Sequence, residues 1–422
     1  MPADLEIIVI GSEILQGRCG EANSRRIAAE LAAIGVEPSR VTILPDDVRA
    51  IASEISRGVE RSGILIVTGG LGPTHDDLTR SAVIEALGGD TEEREEFREA
   101  IENGYRRFGK KPPRGYSGHS IVPRGARMLS NPVGIAPGLE VRREGVVLYV
   151  LPGVPAEMRE MLRASVLPAL AGRERGRALL LRTFGLNESE VEERLRPVLE
   201  PEELERLSIV SGISGVDCYM RAGSWDERTR REMAAALGTA LYTDSAKSME
   251  EICVEGLKER GATLAAAESV TGGLIASRLV SVPGASESFL EGLVTYSDAS
   301  KIARLGIAAD VLARDGAVSE ATCVGMAEGA MSTARPDIGL STTGIAGPGG
   351  ATVEKPVGLC FVGLALRGRS YCARRVLPGD RNTIRERAAS IALDLLRLEL
   401  QGEEETLRSL EVFRGNNTRR ER

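Results

Sequence analysis

Three short stretches towards the C-terminal end carry residue types that could do chemistry. They are Ala267-Glu268-Ser269-Val270-Thr271-Gly272-Gly273, Tyr296-Ser297-Asp298-Ala299-Ser300-Lys301 and Thr343-Gly344-Ile345-Ala346-Gly347-Pro348-Gly349-Gly350. Each follows an apolar run that reads as a strand, and each places small polar residues where that strand ends. A hydroxyl becomes a nucleophile only beside a base. The chain has two histidines, His75 and His119, both far upstream, so a Ser-His-Asp triad within the last third is excluded. Attention passes to lysine, which can serve as a base where burial or a nearby cation disfavours its charged form. Lys301 is one of few lysines in this region, and Ser269, Ser286, Ser288 and Ser297 are the hydroxyls near it in sequence. Spacing alone does not choose among them.

The elements that must position these residues follow from periodicity. Leu5 to Ile10, 36–44 and 64–67 read as strands separated by helices over 23–34 and 48–59, a βαβαβ rhythm that predicts a parallel sheet with helices on both faces. The third strand runs into Gly69-Gly70-Leu71-Gly72-Pro73-Thr74-His75-Asp76-Asp77. A charged helix is expected over 91–108, a long functional loop or irregular hairpin over 110–138, and a further strand at 146–150. A β-α-β-β-α order over 178–240 reads as a compact α+β unit. The last unit begins with a helix at 248–259 and a strand at 262–266, and it closes with an antiparallel pair, 356–366 and 370–377, and a helix over 380–399. The expected fold class is α/β: two three-layer α/β/α domains, 1–172 and 248–400, joined by a small α+β middle domain, 173–247. A charged tail, 401–422, is expected to be disordered.

Composition narrows the function. Apolar residues make up 42% and charged residues 27% of the 422, which suits a soluble globular chain with substantial cores. The net charge of -7 and an aromatic content of 3% argue against a nucleic-acid partner. Six scattered cysteines form no CxxC pair, so neither a zinc knuckle nor a disulfide framework is indicated, and a reducing cytoplasmic setting is expected. No apolar run is long enough to span a membrane.

The last unit resembles the CinA carboxyl-terminal domain, the nicotinamide-nucleotide amidase family. Besides the three stretches above, the resemblance rests on Pro283-Gly284-Ala285-Ser286 with Phe289, Val294-Thr295, Gly316 to Glu320, Glu354 to Gly358 and Gly379-Asp380-Arg381. It implies hydrolysis of nicotinamide mononucleotide to nicotinic acid mononucleotide and ammonia, without a cofactor. It further implies Ser286 as nucleophile and Lys301 as its base, with Tyr296 and Thr343 assisting proton transfer or positioning the amide, and Arg381 contributing positive charge. Substrate contacts are expected from Glu268, Ser269, Thr271, Gly272, Gly273, Gly344 and Gly347. The phosphate is expected at the Gly272-Gly273 helix start, where free N–H groups favour an anion. The family usually has Ser at 285 and Cys at 270. Ala285 and Val270 stand there in this chain, which makes a cysteine nucleophile at 270 untenable.

The first unit resembles the molybdopterin-binding fold carried at the amino terminus of CinA proteins, on Gly11 to Leu15, Pro45-Asp46-Asp47, 69–77, Asn131 to Gly134, Ala136 to Gly138 and Leu151 to Pro155. The resemblance implies ADP-ribose hydrolysis assisted by a divalent metal, with Gly69, Gly70 and Gly72 approaching the pyrophosphate and Glu13, Asp46, Asp76 and Asp77 holding the cation through oxygen. Asp76-Asp77 equally suits capping of the helix that follows. Tyr116 and His119 stand where the family typically carries Asn and Gln, a departure that bears on this activity. The resemblance also suggests a homodimer. The competing reading is a module that binds a nucleotide or pterin without turnover, within a competence or DNA-repair assembly.

Overall fold

Runs of branched apolar residues bounded by glycine and polar turns form the strands. The protein's structure, a computed structural model, describes residues 4–72, 77–112, 120–143, 145–170 and 178–409. It divides into two compact units. Residues 1–178 with 221–223 form the first, and the remaining residues form the second.

The first unit contains β1 (Leu5–Ile10), β2 (Arg40–Leu44), β3 (Ile64–Thr68), β4 (Thr91–Glu93), β5 (Ile121–Pro123), β6 (Arg127–Leu129), β7 (Gly138–Arg143) and β8 (Val146–Leu151). Six of them make one sheet in the order β2-β1-β3-β8-β7-β6. The first four run parallel. β1 is buried along its whole length, as expected of a parallel strand covered on both faces. The expected all-parallel sheet is corrected at one edge, where β6 and β7 run antiparallel. The connection between β7 and β8 is two residues long, and a link that short can only return antiparallel. The segment expected to be irregular contributes β5, which pairs with β4 outside the main sheet. The charged helix begins at Glu95 rather than 91, because Thr91–Glu93 is taken by β4.

In the second unit, β9 (Leu179–Thr183), β10 (Leu207–Gly212), β11 (Gly215–Met220) and β12 (Leu241–Thr243) form an antiparallel sheet in the order β10-β11-β9-β12. Helices 188–195 and 227–237 close a core of Leu181, Val191, Leu195, Cys218, Met233 and Leu237 over it. This α+β segment is joined to the rest of the unit: Phe184 packs on the C-terminal core, and Arg397 donates to the Thr239 carbonyl at 2.7 Å.

The C-terminal sheet comprises β13 (Leu264–Glu268), β14 (Phe289–Val294), β15 (Ile338–Gly344), β16 (Leu359–Leu366) and β17 (Arg369–Val376), in the order β14-β13-β15-β16-β17. β14, β13 and β15 are parallel, and β16 and β17 add an antiparallel hairpin. The chain leaves β13 for β14 on one side and later returns as β15 on the other, which opens a crevice at the carboxyl end of β13. Three alanines, Ala265 to Ala267, are fully buried in β13, and their small side chains admit helices close on both faces. Helix Arg381–Gln401 covers one face, and helix Glu320–Thr333 the other. The expectation of a disordered tail is corrected over 404–409 alone: a short helix, Glu404–Ser409, follows helix Arg381–Gln401 and buries Leu407 completely, while residues 410–422 lie outside the described residues.

Gly339 of β15 lies so close to helix Glu320–Thr333 that a Cβ would run into the Ala327 carbonyl oxygen. Backbone cannot yield there as a flexible side chain would. Gly339→Ala is therefore expected to destabilise the second unit by about 1–3 kcal/mol, read as a lower urea midpoint for that unit's unfolding.

Candidate active site

Lys301 sits in the first turns of helix Asp298–Leu305, with Ser297 as its cap. Its side chain turns inward and the residue is only 1% exposed. Nζ lies 3.2 Å from Ser269 Oγ, 3.0 Å from the Thr295 carbonyl oxygen and 3.1 Å from that of Tyr296. Burial holds its pKa below the ordinary lysine value, opposed only by the charge of Asp298. The three contacts accommodate the neutral amine as well as the ammonium. A neutral amine has two N–H groups and one lone pair. With the two carbonyls taking the N–H groups, the lone pair is left to face the Ser269 hydroxyl. Ser269 is itself buried, immediately after β13, with its amide donating to Thr342 O at 2.9 Å.

This pairing corrects the expectation for Ser286. That residue lies in the 3-10 turn Ala285–Glu287, exposed, just before β14. β14 begins beside Leu264, the first residue of β13, whereas Ser269 follows the last. The five residues of β13 put roughly 16 Å between the two ends of the strand. Ser286 therefore lies at the opposite end of the sheet from Lys301. Ser297 serves as a helix cap, accepting from the Ser300 amide.

The expected phosphate position is corrected as well. Gly272 and Gly273 both adopt left-handed backbone and open helix Leu274–Val280. The amides at that helix start are already taken. Fully buried Glu268 accepts from Gly273 N at 2.9 Å, Ile275 N at 3.1 Å and Ala276 N at 2.9 Å. A carboxylate thus occupies the place foreseen for the anion, so Glu268 holds the loop together. The amides of Val270, Thr271 and Gly272 donate to no group among the described residues.

The other expected residues gather round the same crevice. Thr342 stands opposite Glu268, so Thr343 follows beside Ser269. Its hydroxyl donates to Ala317 O at 2.7 Å and anchors the 316–319 loop. Thr271 shares a 2.6 Å hydroxyl contact with Thr342. Tyr296, 62% exposed, accepts from Arg381 at 3.0 Å, and the same guanidinium donates to Gly347 O at 2.7 Å. Gly344 and Gly347 are required by packing, since Cβ atoms there would press on Cys360 and Val357. Two contributors were missed from sequence. Arg385 donates to Thr271 O at 3.0 Å, and the Thr295 hydroxyl is buried without a partner among the described residues. Thr295 stood within a recognised motif, whereas nothing local marks Arg385.

In the first unit, a cavity of about 420 Å³ opens at the carboxyl ends of β1 and β3, lined by Gly11, Glu13, Glu21, Asn23, Asp46, Gly69, Gly70 and Asp77 among others. Asp46 accepts from Ser12 N at 2.8 Å, and Ser12 Oγ accepts from Asp46 N at 2.9 Å, which ties the two rims together. Gly69 and Gly70 take left-handed backbone, with a Cβ barred by Ile10 O and by Thr79. At Gly72 a Cβ would meet the Asp77 carboxylate at 2.6 Å. Asp76, His75, Tyr116 and His119 lie outside the described residues. The donor chemistry of Glu13, Asp46 and Asp77 suits a hard cation. Among the described residues, however, no three such groups converge as a ligand set, so no chemical step is routed through a metal.

Comparison with known proteins assigns both halves. The family described as CinA C-terminal domain matches residues 246–400, and the family described as probable molybdopterin binding domain matches 6–172. A relative from Caldanaerobacter subterraneus subsp. tengcongensis, whose name describes a competence-damage inducible protein, is 38% identical over 406 residues, covering 94% of this chain and 98% of that one. A CinA-like protein of Kosmotoga olearia is 36% identical over 402 residues, covering 93% and 98%. The crystal structure of the competence/damage inducible protein CihA from Agrobacterium tumefaciens shares 36% identity over 36% of this chain and 95% of its own, with a TM-score of 0.35.

Glu268→Gln keeps one acceptor oxygen and removes the second, leaving helix-start amides without their partner. We expect a loss of about 1–3 kcal/mol in chemical denaturation of the full chain, together with faster amide hydrogen exchange at Gly273, Ile275 and Ala276.

Proposed function

Since the chain belongs to the CinA family, we propose that its C-terminal domain is a nicotinamide-nucleotide amidase working through a Ser269–Lys301 pair. The observation that carries this reading is the buried Lys301 amine facing Ser269 Oγ at 3.2 Å, with both its other donor positions committed to carbonyls. Ser269 Oγ attacks the carboxamide carbon of nicotinamide mononucleotide, and Lys301 takes the hydroxyl proton. The oxyanion is met by the uncommitted amides of the 270–272 loop. As the C–N bond breaks, Lys301 returns the proton to the leaving nitrogen and ammonia departs. Water, deprotonated by Lys301, then attacks the ester on Ser269, and nicotinic acid mononucleotide leaves as the serine regains its proton. Thr343 has its only hydroxyl hydrogen committed to Ala317, so it can accept an N–H of the substrate amide.

The first unit supports a companion reading as a site for ADP-ribose. Its cavity is lined by Glu13, Glu21, Asp46 and Asp77, which repel a pyrophosphate unless a cation lies between. ADP-ribose is therefore expected to bind only with a divalent metal present, as calorimetry with and without magnesium would read, and AMP formation would extend this to hydrolysis. A homodimer also belongs to the reading: β14 is an open sheet edge that exposes Leu290 and Val294.

Ammonia release from nicotinamide mononucleotide decides the matter. Ser269→Ala is expected to lower turnover by about 10³-fold or more, whereas Ser286→Ala leaves it near wild type. The reverse ranking would return the nucleophile to Ser286. Tight nucleotide binding without ammonia would favour the binding-module reading. The pH profile has a defined sign. Lys301 acts as the free base and its pKa is lowered by burial, so turnover rises with pH and levels off below the ordinary lysine range.

A further inference from the structure

The deamidation reading leaves the substrate's phosphate without a seat, because Glu268 fills the helix start that sequence reasoning assigned to it. We propose that Arg381 and Arg385 form that seat, and that an incoming phosphate draws Arg381 away from Tyr296 and so opens the mouth of the site. This rests on the amidase reading for its substrate, and on the following geometry for its place.

The two arginines are four residues apart on helix Arg381–Gln401 and therefore share one face. Both guanidinium groups are held by neutral acceptors. Arg381 donates to the Tyr296 hydroxyl and the Gly347 carbonyl. Arg385 donates to the Thr271 carbonyl and, at 3.3 Å, to Asn382 Oδ1. Neither forms an ion pair among the described residues, although elsewhere in this unit arginines meet carboxylates, as Arg278 meets Glu250 and Arg397 meets Asp394. Asp380, next to Arg381, is occupied in capping the helix through Thr383 N at 2.8 Å, and Glu386, next to Arg385 in sequence, forms no ion pair with it among the described residues. Two adjacent cations without counter-charge are poised for an anion, and hydrogen bonds to a phosphate dianion are stronger than those to a hydroxyl or a carbonyl.

Their location fits a nucleotide whose amide lies at Ser269. Thr271, which Arg385 grips, is two residues beyond the nucleophile and so within about 7 Å of it along the chain. Tyr296, which Arg381 grips, offers its carbonyl to Lys301. In the sheet order β14-β13-β15, Tyr296 follows β14 and Gly347 follows β15, with Ser269 after β13 between them. Arg381 thus straps together the loops on either side of the nucleophile. A phosphate competing for its fork would release the strap as the ribose and amide enter beneath it.

The test titrates inorganic phosphate into the full-length protein, followed by calorimetry and by phosphorus NMR. Arg381→Gln and Arg385→Gln are each expected to weaken the affected binding component by about 10-fold or more, the loss of one charge-assisted contact. Arg387→Gln, on the same helix but donating to Pro378 O, should leave it unchanged. Phosphate binding that is unaltered in both the Arg381 and Arg385 variants overturns the proposal. A second arm compares ammonia release from the mononucleotide and from its dephosphorylated riboside. Wild type should prefer the nucleotide, and Arg385→Gln should lose most of that preference through kcat/KM. Equal use of both substrates by wild type overturns the phosphate seat while the amidase reading stands. No ammonia from either substrate, with the Arg-dependent phosphate component intact, overturns the amidase reading while the seat stands.

Discussion

The buried carboxylate of Glu268 is the constraint on which the active-site end of the second unit depends. It is fully buried at the end of β13 and accepts from three amides at the start of the next helix. A carboxylate in such a place is tolerable only when its oxygens are satisfied, and a helix start supplies both hydrogen-bond donors and a favourable dipole. In return it shapes the turn 269–273. That turn aims Ser269 to the side on which Lys301 enters and leaves the next three amides without an acceptor among the described residues.

Around that turn the parallel sheet does the gathering. β14, β13 and β15 all end at the same level, so the loops after them, together with the starts of the helices at 298 and 381, meet above one crevice. Lys301 is carried into it by a helix start. Burial of its stem and amine lowers its affinity for a proton, and two main-chain carbonyls fix its direction. The first unit uses the same topology independently: its cavity opens where the chain departs from β1 to β2 on one side and to β3 on the other. Its glycines answer to close packing against their own chain as much as to any ligand.

Much of the fold was legible because strands such as β1 and β3 are continuous apolar runs closed by glycine, and because helical periods alternate with them. Shorter elements were not. β4 to β6 are three residues each and lie within charged or Gly- and Pro-rich sequence, where pairing partners rather than local preference decide the conformation. The helix at 404–409 was hidden in a charged tail because a single apolar residue, Leu407, carries its docking.

By itself the sequence pointed to a class of chemistry: the absence of a histidine from the last third excludes a triad there and turns attention to lysine, and polar strand ends mark which end of an α/β sheet a ligand would meet. Only the tertiary structure decided which serine that lysine meets. Ser286 is the nearer of the two in sequence and stands in an equally suggestive glycine turn. Sequence distance says nothing about which end of a strand a turn occupies. Ser286 precedes β14 and Ser269 follows β13, and because those strands run parallel, the two hydroxyls lie at opposite ends of the sheet.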